Sequence, residues 1–168
     1  VVMELGGKSP NIVFADADWQ RAADTSPMSV FANTGQDCCA RSRVFVEQSI
    51  YEPFAERFIA ATRELVVGNP ALDATQLGPL VSASQRASVE DFLADARKHG
   101  TQFGCGGRRF GVPPSGGSGE PPKGGTPSRG FYLEPTVLLD VDKSTRCWRE
   151  EIFGPVVCIV PFDHEEQM

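Results

Sequence analysis

Seven consecutive residues, Val156 to Phe162, are almost all apolar. A half-buried strand alternates apolar and polar residues, whereas an unbroken apolar strand asks for a sheet covered on both faces. The rest of the chain supplies elements to pair with it and to cover it. Val1 to Leu5 reads as the end of a strand, Gly6-Gly7 as a tight turn, and Asn11 to Ala15 as a second short strand. Asp16 or Asp18 can cap a helix from about Trp19 to Ala32, since a short acceptor side chain satisfies free N–H groups. Pro27 is expected to kink or split that helix. Asn33-Thr34-Gly35 ends it, with Gly35 in the residue position just past the cap. Val44 to Glu47 reads as a strand, Tyr51 to Val66 and Ser84 to His99 as amphipathic helices, and Phe131 to Leu139 as extended. Strands that alternate with helices predict an α/β layer architecture, with a mostly parallel sheet flanked by helices.

Between Gly104 and Gly130 the composition turns to Gly, Pro and Ser. Such a tract buries too little to offset its ordering entropy, and it reads as a long flexible surface loop within the domain 1–168. The chain begins at Val1 in what reads as mid-strand, so a portion of a longer protein is expected.

Charge excludes some partners. A net charge of −6 and no basic cluster argue against a nucleic-acid surface. Val156 to Val160 is far too short to span a bilayer. The expectation is therefore no nucleic acid and no membrane. Five cysteines, odd in number and irregular in spacing, favour reduced thiols in a cytoplasmic compartment over a disulfide framework. His99 and His164 are far apart and no Cys-x-x-Cys exists, so no metal site is expected. Gly7-Lys8-Ser9 looks like the tail of a phosphate-binding loop, but Val2 stands where that loop requires Gly.

The chemistry centres on Phe31 to Arg43. Structural thiols usually sit inside apolar runs. Cys38 and Cys39 sit in a polar turn after an Asn-Thr-Gly break, where a thiol can meet a substrate. Three ordered segments accompany them. Glu4-Leu5-Gly6-Gly7-Lys8-Ser9-Pro10, Asn33-Thr34-Gly35-Gln36-Asp37-Cys38 and Glu150-Glu151-Ile152-Phe153-Gly154-Pro155-Val156 together resemble the NAD(P)-dependent aldehyde dehydrogenase superfamily. Gly68-Asn69-Pro70, Gly78-Pro79 and Glu134-Pro135-Thr136-Val137 are similar to it as well.

The resemblance implies a catalytic-domain portion that lacks most of the Rossmann-type cofactor domain, which would bind NAD or NADP. It implies oxidation of an aldehyde to a carboxylic acid as part of a longer chain, homo-oligomeric at full length. Cys38 is the implied nucleophile, by its place two residues after Gln36, and Glu4 the implied base that activates water. Glu151 would hold the nicotinamide ribose, Phe153 would pack beside the ring, and Gly6 would border the cofactor. Cys39 is a passive neighbour; Lys8, Gln36, Arg41 and Arg43 are assigned to ion pairing or turn stabilisation. Two other readings stand beside this one. One is a catalytically silent module for interaction or assembly. The other is a cofactor-free thiol esterase using Cys38 and Glu4.

Overall fold

The computed structural model describes residues 1–110 and 130–167. Five strands form one sheet in the order β1-β2-β5-β4-β3: β1 (Pro10–Val13), β2 (Arg43–Glu47), β3 (Gln102–Cys105), β4 (Thr136–Leu139) and β5 (Val156–Phe162). β1, β2, β5 and β4 pair in parallel, and β3 closes one edge antiparallel to β4. The apolar run Val156–Phe162 is thus the central strand, as its lack of alternation requires.

Alternate residues of the inner strands feed two different cores. Val157 and Ile159 of β5, Val44 and Val46 of β2, and Val137 and Leu139 of β4 share one apolar cluster. Helices α1 (Trp19–Phe31) and α2 (Tyr51–Arg63) complete it with Val30, Phe31, Phe54 and Phe58. Val156, Cys158 and Val160 of β5, Phe45 of β2 and Leu138 of β4 point into the opposite cluster. Helix α3 (Ala83–Lys98) and the single turn α4 (Arg146–Arg149) cover that side with Val89, Phe92, Leu93 and Trp148. Each large side chain so buried contributes about 1.5–3 kcal/mol, which is why the period-2 split of β5 determines where the helices lie. Across the first core the Tyr51 hydroxyl donates to the Ile159 carbonyl and accepts from the Asp140 N–H. Burial pushes that phenol up to about 12.

Several expectations change. Val1 to Leu5 has no ladder partner among the described residues and is not a strand. Pro27 does not split α1, which runs unbroken through it. The proline removes one donor and costs about 3 kcal/mol. Its buried ring, and the contact of α1 with α2, offset that. Helix α2 ends at Arg63 rather than Val66. Within the expected flexible tract 104–130, residues 104–110 are ordered. Gly104 and Cys105 finish β3, Gly106 and Gly107 turn with positive φ, and Arg109 bridges Leu133. The remainder of that tract, 111–129, lies outside the described residues. Of the extended segment 131–139 only Thr136–Leu139 is a strand. Among the described residues no helix is long and apolar enough to cross a membrane.

Candidate active site

Helix α1 stops at Phe31, and the chain then enters left-handed backbone for three residues: Asn33 (φ 51°), Thr34 (φ 59°) and Gly35 (φ 69°). The left-handed stretch therefore begins two residues before Gly35, the position expected to carry it. For β-branched Thr34 this is an outlier conformation, and strain of that kind persists only where the surroundings over-determine it. They do so here. Thr34 Oγ1 donates to the Gly78 carbonyl at 3.1 Å, and Asn33 Nδ2 donates to the Gln36 carbonyl at 2.9 Å. Gln36 Nε2 donates to the Asn33 carbonyl, while its Oε1 accepts from the Val81 N–H at 2.9 Å. The assignment of Gln36 to turn stabilisation is thus matched by its contacts.

This clamped turn presents Cys38 and Cys39, both exposed. Their sulfurs lie 3.7 Å apart, and Asp37 Oδ1 accepts the Cys39 N–H at 2.9 Å. The Cys38 N–H donates to no acceptor among the described residues. The Cys39 thiol beside it, and then the Asp37 charge, raise the Cys38 thiol above its ordinary value. A nucleophile wants the opposite, a base or a cationic field. Among the described residues nothing at Cys38 supplies one.

The other two motifs arrive from the ends of the chain. Gly7 runs so close to the turn that a Cβ there would lie 2.4 Å from the Cys38 carbonyl oxygen. Glu151 Oε1 accepts the Gly7 N–H at 3.0 Å across 144 residues of sequence. Gly6 lies against the same carboxylate, a Cβ on it falling 2.2 Å from Glu151 Oε2. Gly35 meets the Gly154 carbonyl in the same manner. Phe153 has φ 53° and a partly exposed ring. Gln85 of α3 holds that turn, donating to the Ile152 and Phe153 carbonyls at 3.2 and 2.8 Å. Cys38, Gly6 and Glu151 are therefore brought together. Glu4 is exposed, and no hydrogen bond or ion pair among the described residues holds it. Glu150, read as surface, is exposed and pairs with Arg146 at 3.1 Å.

Two further residues support the site, and sequence reading passes over one of them. Arg43 donates through Nε and Nη2 to the Lys8 carbonyl at 3.0 and 2.5 Å, with its guanidinium beside Trp148. It clasps the end of the Gly6-Gly7 turn, which is stabilisation as expected, but through the backbone and, among the described residues, without an ion pair. The Lys8 ammonium itself finds no hydrogen-bond partner among the described residues, and burial lowers its pKa. Gln85 is the other support; its only sequence signal is an amide on the first turn of a capped helix.

The five thiols sort by exposure. Burial pushes Cys147 up to about 12 and Cys158 up to about 11, and it raises Cys105 as well. Iodoacetamide should therefore label the Cys38–Cys39 pair in the folded protein and spare Cys147 and Cys158. The sign for Cys38 follows from its raised pKa. Less thiolate is present at neutral pH, so its rate keeps climbing through the ordinary thiol range, and Cys39→Ser shifts that rise to lower pH. Peptide mapping across a pH series reads both outcomes.

Comparison with known proteins bears on the family of the chain. The family model described as the aldehyde dehydrogenase family matches residues 1–168. Betaine aldehyde dehydrogenase of Brucella ovis is 42% identical over 168 residues, which is 100% of this chain and 32% of that protein. The chain thus spans about a third of the length of the curated relatives it matches. Aldehyde dehydrogenase C of Pseudomonas syringae, solved with NAD+ and octanal, superimposes with a TM-score of 0.83 at 35% identity, covering 96% of this chain and 30% of that one. Betaine aldehyde dehydrogenase of Staphylococcus aureus, solved with NAD+, gives a TM-score of 0.82 at 34% identity, covering 97% and 30%. With its whole length matched and its mixed, mostly parallel sheet shared with these structures, the chain belongs to the aldehyde dehydrogenase family.

Proposed function

We propose that this chain is the catalytic portion of an enzyme that oxidises an aldehyde to a carboxylic acid with NAD(P)+. The observation that carries the proposal is the convergence of three distant motifs. The strained turn that carries an exposed thiol brings the Cys38 carbonyl against Gly7, whose N–H the Glu151 carboxylate accepts.

The residues present suit the nicotinamide half of the cofactor. Gly6 and Gly7 offer backbone without side chains. Glu151 Oε2 accepts no hydrogen bond among the described residues and can take one from a sugar hydroxyl. Phe153 supplies a partly exposed ring. NAD(P)+, when bound, accepts hydride from the substrate carbon. The rest of its binding belongs to parts of the protein beyond this chain, as the length of the relatives suggests.

The Cys38 sulfur, as thiolate, bonds to the aldehyde carbon, and the carbonyl oxygen takes the negative charge. The Cys38 N–H, which meets no acceptor among the described residues, donates to it; one such donor is worth about 3 kcal/mol of barrier. Loss of hydride from the resulting thiohemiacetal leaves a thioester on Cys38. Glu4 takes a proton from water, the water oxygen bonds to the acyl carbon, and the carbon–sulfur bond breaks to release acid and thiolate. A reducing, cytoplasmic compartment fits the five unpaired cysteines.

The test uses Glu4→Gln in the protein at its full natural length. With aldehyde and NAD+, this variant should accumulate an acyl adduct on the Cys38 peptide, released by hydroxylamine, while steady-state turnover falls by about 10²–10⁴-fold. Unchanged turnover with no adduct would overturn the assignment of Glu4.

A further inference from the structure

We infer that Asp37, Cys38 and Cys39 form a capture site for a thiophilic divalent cation of the zinc and cadmium class. The sequence has no Cys-x-x-Cys and no paired histidine, and a metal site here uses a different donor set. One oxygen and two sulfurs come from three successive residues, and their ligand atoms all lie within 4.8 Å of one another. Among the described residues this is the group of three such donors that comes together.

The spacing is the argument. Zinc binds sulfur at about 2.3 Å, and the tetrahedral angle between two such bonds sets the sulfurs about 3.8 Å apart. The Cys38 and Cys39 sulfurs are 3.7 Å apart. They already span one edge of the tetrahedron, and a cation needs little rearrangement to bridge them. The Asp37 carboxylate is held beside them by the Cys39 N–H at 2.9 Å, the kind of outer hydrogen bond that orients a ligating carboxylate. The turn that carries all three is clamped by Gln36 and Thr34, so the donors are presented together rather than gathered on binding. Three protein donors leave the fourth position open to solvent, and all three residues are exposed. The chain's charge of −6 favours a cation. Each thiol releases its proton to solvent as its sulfur takes the metal.

Binding consumes the electron pair on the Cys38 sulfur. If Cys38 is the nucleophile, as proposed above, the captured cation switches the enzyme off, and chelation restores it. Only this consequence depends on that reading; the site itself does not.

The experiment uses the protein at its full natural length. Cadmium titration of the unmodified protein should produce thiolate-to-metal charge-transfer absorption that saturates at one equivalent. Zinc competed against a chromophoric chelator should bind with the same stoichiometry. Bound zinc should slow iodoacetamide labelling of Cys38 by about tenfold or more, reversibly with EDTA. Cys39→Ser and Asp37→Asn should each weaken binding, the thiol loss by more than about tenfold. The absence of charge transfer in the unmodified protein overturns the proposal without any variant having to fold. Zinc binding of equal strength in the Cys38→Ser, Cys39→Ser double variant overturns it too, by placing the metal elsewhere. If the catalytic reading fails instead, turnover is absent while the absorption and the protection of Cys38 persist.

Discussion

Cys38→Ser should abolish aldehyde oxidation by the full-length protein, lowering turnover by roughly 10⁴–10⁶-fold, the scale on which nucleophile deletions act. A serine hydroxyl stays protonated at neutral pH, and no base or cation among the described residues stands beside position 38 to activate it. Cys39, and then Asp37, raise the thiol's pKa, but a thiol remains a far stronger acid than an alcohol and its thiolate is the nucleophile. The fold should be indifferent. Residue 38 is exposed, and its side chain meets only its exposed sequence neighbours Asp37 and Cys39 among the described residues, so the melting midpoint should move by no more than about 2 °C. Loss of turnover with an unmoved midpoint identifies the sulfur as chemical. Retained turnover in the variant would remove Cys38 from the mechanism, and with it the whole thioester route.

Gly35→Ala should be among the most damaging single changes available in this turn. Two costs add. The residue has φ 69°, where an alanine pays about 1–2 kcal/mol. In addition its Cβ would stand 2.1 Å from the Gly154 oxygen and 2.5 Å from the Gly154 carbon. That obstacle is backbone and cannot swing aside. Gln85 holds the adjacent Phe153 carbonyl, and the Pro155 carbonyl accepts the Thr136 N–H at 2.9 Å at the start of β4. Forcing the two segments apart should bring the loss to about 3 kcal/mol or more, a fall of roughly 6–12 °C in melting midpoint. Gly100→Ala is the internal control, because Gly100 has φ 74° and a methyl group added there would meet nothing within 4 Å. It pays the conformational cost alone. Equal destabilisation by the two substitutions would show that the approach of Gly35 to Gly154 carries no energy. A larger loss at Gly35 would show that the thiol turn and the Glu151 segment are locked together there.

Local pattern made much of this legible. Helical spacing of Phe54, Phe58 and Thr62 predicted α2, and the buried members of that helix include those residues. Asp18 caps α1 through the Arg21 N–H, as its short acceptor suggested. Where local signals failed, the deciding partner was distant. Nothing in Val1 to Leu5 says that it has no neighbouring strand among the described residues. Nothing near Pro27 says that α2 will lie against α1 and keep it whole.

Sequence by itself determined which residues could pair, which faces must be buried, and that a thiol would stand in a polar turn, because those properties follow from the period and chemistry of adjacent side chains. Only the tertiary structure decided that Glu151 would close on Gly7, that Gly35 would need to lack a side chain, and that two sulfurs would stand 3.7 Å apart. The physical reason is sheet order. Strand β5 inserts beside β2, more than a hundred residues earlier in the chain, and this carries the segment before β5 onto the turn before β2.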